Sequence, residues 1–172
     1  MTGIACVGCG AIFADLEGPT HRYMESSPGC WAAYGEVVAR EYSDPSYASL
    51  HRLSVDAYAV QHPGRPSPQT TQSVALHLMS LCLILERGVD PSRATAFFQE
   101  AAKDKGRYVW LPPPASRGSV TVKDVYAAAS AEDHERLVRA WAESAWSAWA
   151  PHHDVIRLLC SARLNGVARD AR

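Results

Sequence analysis

The sequence has no long run of like charge, no basic leader followed by an apolar core, and no Gly-x-Gly-x-x-Gly, Walker loop, His-Glu-x-x-His or nucleophile elbow. Each absence removes a class of function. The 17 basic and 18 acidic residues are intermingled and give a formal net charge of -1, so the electrostatic footprint of a nucleic-acid or anionic-membrane binder is missing. The most apolar stretch, residues 74–85, is too short to span a bilayer, and with no secretory signal the chain is expected to be soluble and cytoplasmic. There is no internal repeat. The alternation of strands and helices that would demand a parallel sheet is also missing.

What is present suffices for one ordinary core: 172 residues, 47% of them hydrophobic. We expect a single domain over residues 1–172, all-α, a helical bundle over 30–167 with an irregular N-terminal zinc-binding arm over 1–29. The punctuation sets the elements. Pro28-Gly29 gives way to a helical pattern from Cys30 to about Tyr42, and Asp44-Pro45 caps a second helix that stops at His62-Pro63-Gly64. A third helix is predicted over 68–86, closed by Gly88, and a fourth from Asp90-Pro91 to about Lys105, closed by Gly106. After an extended 108–111 and three prolines, Thr121 caps a short helix over 122–128. Ser130 opens the last long stretch, with Asp133 as a weak capping box, and Pro151 either kinks that stretch or starts a new helix.

The arm carries many glycines and prolines and few apolar runs, so a metal would compensate for the core it lacks. Cys6-Val-Gly-Cys9-Gly10 places two thiols on one tight loop, half of a tetrahedral zinc site. Cys-x-x-Cys also occurs as a redox pair, but such a pair sits at a helix start in a βαβ setting that this chain does not suggest. Cys30, in the first turn of its helix, is the third expected ligand, because the helix N-terminus favours a thiolate. His21, on the same arm, is the fourth; the alternative for it is a solvent-facing loop histidine. Cys82 and Cys160 lie in apolar helical surroundings and read as reduced core thiols.

A second set of polar residues lies on the predicted helices: His51, Asp56, His62, His77 and His153. His77 interrupts an apolar helix and lines up with Gln69, Ser73 and Ser80, a stripe that needs partners if buried. The functional hypothesis is that some of these residues, with Asp56 or Glu36, converge between the second, third and final helices as a catalytic acid–base pocket or second metal site. The alternative is that each is a hydrogen-bonded core or surface residue. Trp141, Trp146 and Trp149 read as bundle core, the last two flanking His152-His153, while His134 reads as solvated.

Three stretches together resemble an uncharacterised bacterial family known only as a domain of unknown function: Gly18-Pro-Thr-His-Arg-Tyr-Met with Ser27-Pro-Gly-Cys-Trp-Ala, His51-Arg-Leu-Ser-Val-Asp-Ala-Tyr-Ala-Val-Gln-His-Pro-Gly64, and Trp149-Ala-Pro-His-His-Asp-Val-Ile-Arg157. The resemblance implies one unit over most of the chain and brings no assigned activity. A helical bundle with a late His-His is also similar to the DinB-type metalloproteins, although their last two ligands stand a helical turn apart and these are adjacent. The functional expectation is an intracellular zinc-binding helical protein with a structural Cys/His site and an interhelical pocket for a small molecule or second metal. The competing class is a non-catalytic, zinc-stapled protein-interaction module.

Overall fold

The computed structural model describes residues 3–170, with side chains as far as Arg163. The expected domain limits, residues 1 and 172, lie outside the described residues. The fold is helical: α1 Pro28–Ser43, α2 Ala48–Gln61, α3 Pro68–Leu81, α4 Pro91–Ala101, α5 Val122–Tyr126, α6 Ala131–Ala148 and α7 His153–Asp170. One feature is added to the expected all-α bundle. Strands β1 Gly3–Ala5 and β2 Ile12–Ala14 pair antiparallel in the arm, with Ile4 opposite Phe13. The arm is therefore a small hairpin followed by irregular chain.

The helix starts follow from side chains that satisfy orphan backbone N–H groups. Ser27 accepts from the Cys30 N–H at the start of α1, and Pro28 fills the next position, where no N–H is needed. Ser67 with Thr70, and Thr121 with Asp124, form reciprocal capping boxes for α3 and α5. Ser130 accepts from the Asp133 N–H and opens α6. Pro45 does not begin α2 directly; Asp44 caps a single 3-10 turn, Pro45–Tyr47, and α2 follows it. Pro151 falls in a second such turn, Ala150–His152, so it starts a new helix rather than kinking an old one. The expected third helix continues past Leu81 as a five-residue π turn, Cys82–Glu86, and α4 stops at Ala101, four residues short of expectation.

Nine of the fourteen residues of α2 are buried, so it is the central element. It packs against α6, α3, α1 and α4. Leu53, Leu78, Trp141, Trp149 and Ile156 meet around it, each almost wholly removed from water. The polar positions of this core are paired. Gln61 accepts from the Trp141 indole at 2.8 Å and donates to the Arg117 and Val120 carbonyls, so a fully buried amide has both ends satisfied. Cys82 and Cys160 are buried free thiols. Among the described residues no helix is long and apolar enough to cross a membrane.

Candidate metal centre

The turn between β1 and β2 brings the first two sulfurs to one side. The Gly10 N–H bonds the Cys6 carbonyl and the Cys6 N–H bonds the Ala11 carbonyl, each at 2.8 Å. Gly10 sits at φ +77, where a side chain would be strained. Cys30 enters from the first turn of α1, its N–H capped by Ser27, while the Ser27 N–H points at Cys6 Sγ, 3.4 Å away. The fourth donor is His62, the residue that ends α2. Cys6, Cys9, Cys30 and His62 place their ligand atoms within 4.8 Å of one another.

His62 is oriented by a bond on its far side. Its Nδ1 lies 2.7 Å from the Tyr58 carbonyl, which only accepts, so Nδ1 carries the proton. The bare Nε2 then faces Cys6 Sγ at 3.5 Å and Cys30 Sγ at 3.4 Å. Tyr58 also stacks on the imidazole, with ring centroids 4.0 Å apart, and reaches Cys30 Sγ with its hydroxyl at 3.8 Å. Burial pushes the Tyr58 phenol upward, so it remains a donor to the sulfur. Gly8 completes the fit. A Cβ there would stand 2.1 Å from His62 Cδ2 and 2.6 Å from the Glu25 carbonyl, so only glycine lets the loop meet the ring. On the outer side, the Arg117 guanidinium clasps the Val7 and Gly8 carbonyls.

Tetrahedral zinc with ordinary bond lengths would separate its sulfurs by about 3.8 Å, and sulfur from nitrogen by about 3.6 Å. Cys9 and Cys30 are 3.9 Å apart, and the two sulfur–nitrogen distances match as closely. The protonation of the thiols points the same way. Hydrogen bonds from Cys30 and then Cys9 hold the Cys6 thiol far below its ordinary range, while the bond to Cys6 pushes Cys30 far above it. Three thiols packed this closely oppose one another's ionisation, a conflict that a cation among them would remove.

His21 is not part of this group. Its Nδ1 accepts from the backbone N–H groups of Tyr23 and Met24, and its ring packs edge-on against Trp31. That local turn holds it, and partial burial lowers its pKa. His62 lies 32 residues beyond Cys30, and its role depends on the chain returning to the arm at the end of α2. The signal for it was a histidine before Pro63-Gly64 together with a loop residue, Gly8, that lacks a side chain.

The five-residue pocket expected between the second, third and final helices does not assemble. Only Asp56 and His77 meet, Nδ1 donating to the carboxylate at 2.7 Å, with Ser80 and Arg52 on the same carboxylate. Burial lowers the His77 pKa against the pull of Asp56. His153 instead stacks on Trp146 at 3.7 Å and bonds the Trp146 carbonyl, while His152 bonds the Pro112 carbonyl, so no DinB-like histidine set forms. His51 turns to Glu41, which lies 2.8 Å from its Nδ1. His134 is fully buried rather than solvated, because its Nε2 meets the same carboxylate at 3.1 Å. Burial alone would raise the Glu41 carboxyl, but hydrogen bonds from His134, His51 and Ser54 outweigh it and hold it below the ordinary range. Glu36 lines a separate surface groove.

No curated protein and no solved structure matches this chain. A family model does, over residues 4–150, a span that contains all four members of the Cys3His cluster and the whole of α2. The chain therefore belongs to DUF5946, a family of unknown function.

Proposed function

We propose that this is a zinc-stapled helical protein in which Cys6, Cys9, Cys30 and His62 bind one Zn2+ as a structural ion. The observation that carries the reading is the convergence of three sulfurs and one bare imidazole nitrogen within 4.8 Å of one another. Four protein donors fill a tetrahedral shell and leave no open position for water or substrate, the mark of a structural rather than a catalytic site. The ion would supply the charge that lets three adjacent thiolates coexist. The residues around it then have definite tasks: Tyr58 sets the His62 tautomer, Ser27 donates to Cys6, and Arg117 holds the turn from outside. The staple ties the hairpin to the end of the central helix.

Metal content of purified protein tests this. About one zinc per chain is expected, sharply reduced by Cys6→Ser and by His62→Ala and kept by His21→Ala. Full zinc retained in a Cys6→Ser, Cys9→Ser double variant would overturn the assignment. A chain that loses zinc on His21→Ala but not on His62→Ala would overturn the choice of the fourth ligand.

A further inference from the structure

A second site stands apart from the thiol cluster, where the end of α1 and the start of α2 face the start of α4. A cleft of about 580 Å3 opens there, lined by Tyr42, His51, Arg52, Val55, Asp90 and Thr95 among others. At its wall three side chains form a chain of hydrogen bonds. The buried Glu41 carboxylate accepts from His51 Nδ1 at 2.8 Å, so His51 Nε2 carries a lone pair, and the Tyr42 hydroxyl donates to it at 3.0 Å. Glu41 cannot swing away. It is fully buried and also accepts from Ser54 and from His134 Nε2, while Arg40 donates to His134 Nδ1 and fixes that tautomer. A carboxylate thus orients an imidazole, and the imidazole presents a basic nitrogen to a hydroxyl at a cleft. Tyr42 is the loose member: it is 74% exposed near the last turn of α1, and its departure would disturb no core contact.

We infer that this cleft is a general-base hydrolytic site, in which His51 activates a water molecule at the position the Tyr42 hydroxyl holds, for attack on a small neutral acyl ester. The neighbouring Arg52 supplies the electrophilic partner. Its guanidinium is fixed on Asp56 and lies over the Phe98 ring at 4.5 Å, so its positive charge stands on the wall of the same cleft. A neutral substrate suits the cleft, because Glu41 and Asp56 behind it are already matched by Arg40, through His134, and by Arg52, while Asp90 on its wall would repel an anion. Atoms and protons balance without a cofactor. His51 Nε2 takes a proton from water as the water oxygen bonds to the carbonyl carbon. The tetrahedral intermediate then collapses, the ester C–O bond breaks, and the proton passes from His51 to the departing alkoxide, giving a carboxylic acid and an alcohol. Glu41 acts through His51 and is a positioning residue.

The zinc-loaded full chain assayed with p-nitrophenyl acetate tests the proposal independently of the metal reading, because none of these residues belongs to the thiol cluster. His51→Gln is expected to lower kcat/KM about a hundredfold, the ordinary share of a positioned general base. Glu41→Gln should lower kcat while leaving KM in place, and Tyr42→Phe should raise the rate by freeing Nε2. Nitrogen NMR of the wild-type chain, which needs no variant to fold, should show His51 protonated at Nδ1 and bare at Nε2. Ester hydrolysis by wild type no faster than by folded His51→Gln, or a His51 proton resident on Nε2, would overturn the proposal.

Discussion

Glu41 is a buried acid whose ionised form is held by three donors, and that makes its protonation a stability term. Its folded pKa lies below the unfolded value of about 4.3. A depressed carboxyl contributes stability that is fully present above the unfolded pKa and is lost as pH falls through the folded one. His77 adds to the acid side with the same sign: burial lowers its folded pKa below about 6.5, so as pH falls the unfolded chain takes up a proton that the folded chain refuses. The urea midpoint of the wild-type protein should therefore drop from about pH 6.5 downward and drop further below about 4.3. In Glu41→Gln, which leaves the Cys3His cluster untouched, the midpoint at neutral pH should already be lower and the second drop should be smaller, the remainder coming from other depressed carboxyls such as Glu86. Equal acid limbs for the two proteins would mean that the Glu41 network does not favour the carboxylate.

Among the elements, α1 couples two tasks at its first turn, since Ser27 caps the helix through the same Cys30 N–H that positions a sulfur of the cluster. Ser27→Ala should cost about 1 kcal/mol of stability, the ordinary value of such a cap. It should also weaken zinc retention against a chromophoric chelator, although the Ser27 backbone N–H to Cys6 remains. A melting temperature and zinc affinity both unchanged would separate the cap from the cluster. Helix starts of this kind were legible in the sequence. Asp44-Pro45, Asp90-Pro91, Thr121 and Ser130 each mark a boundary through a local interaction of a few residues. What stayed hidden depended on distance or on brevity. Strands of three residues have no periodicity to read, and the π turn at Cys82–Glu86 leaves the apolar pattern of α3 unbroken. Cys6, Cys9 and Cys30 could be grouped because a glycine loop and a helix N-terminus both favour thiolate ligands. His62 could not, because its partners come from the far side of two helices.

For the whole molecule, most of the buried apolar area lies in the bundle, and the thiol cluster joins the arm to its edge. Leu53, Leu78, Trp141 and Trp149 are buried around α2, whereas Ile4, Val7, Ile12 and Leu16 of the arm remain substantially exposed. Under the proposed zinc staple, a strong chelator should therefore free the first 27 or so residues for proteolysis while most of the helical circular-dichroism signal survives. Mass spectrometry of the clipped products, taken before and after metal removal, reads this directly. Cleavage spread evenly over the bundle would show that the ion holds the entire fold and not the hairpin alone.

The distance between Cys6 and His62 along the chain also imposes an order on synthesis. They are 56 positions apart, so a ribosome adding roughly 5–20 residues per second delivers the imidazole roughly 3–11 s after the first thiol. During that interval the nascent chain offers sulfur ligands alone, and Cys30 joins them about midway. Under the proposed zinc staple, an ion captured early would lack its fourth donor until His62, the C-cap of the central helix, has left the exit tunnel. Closure of that shell would then wait on completion of α2, and a truncated chain ending before residue 62 would be a thiol-rich fragment without the imidazole donor.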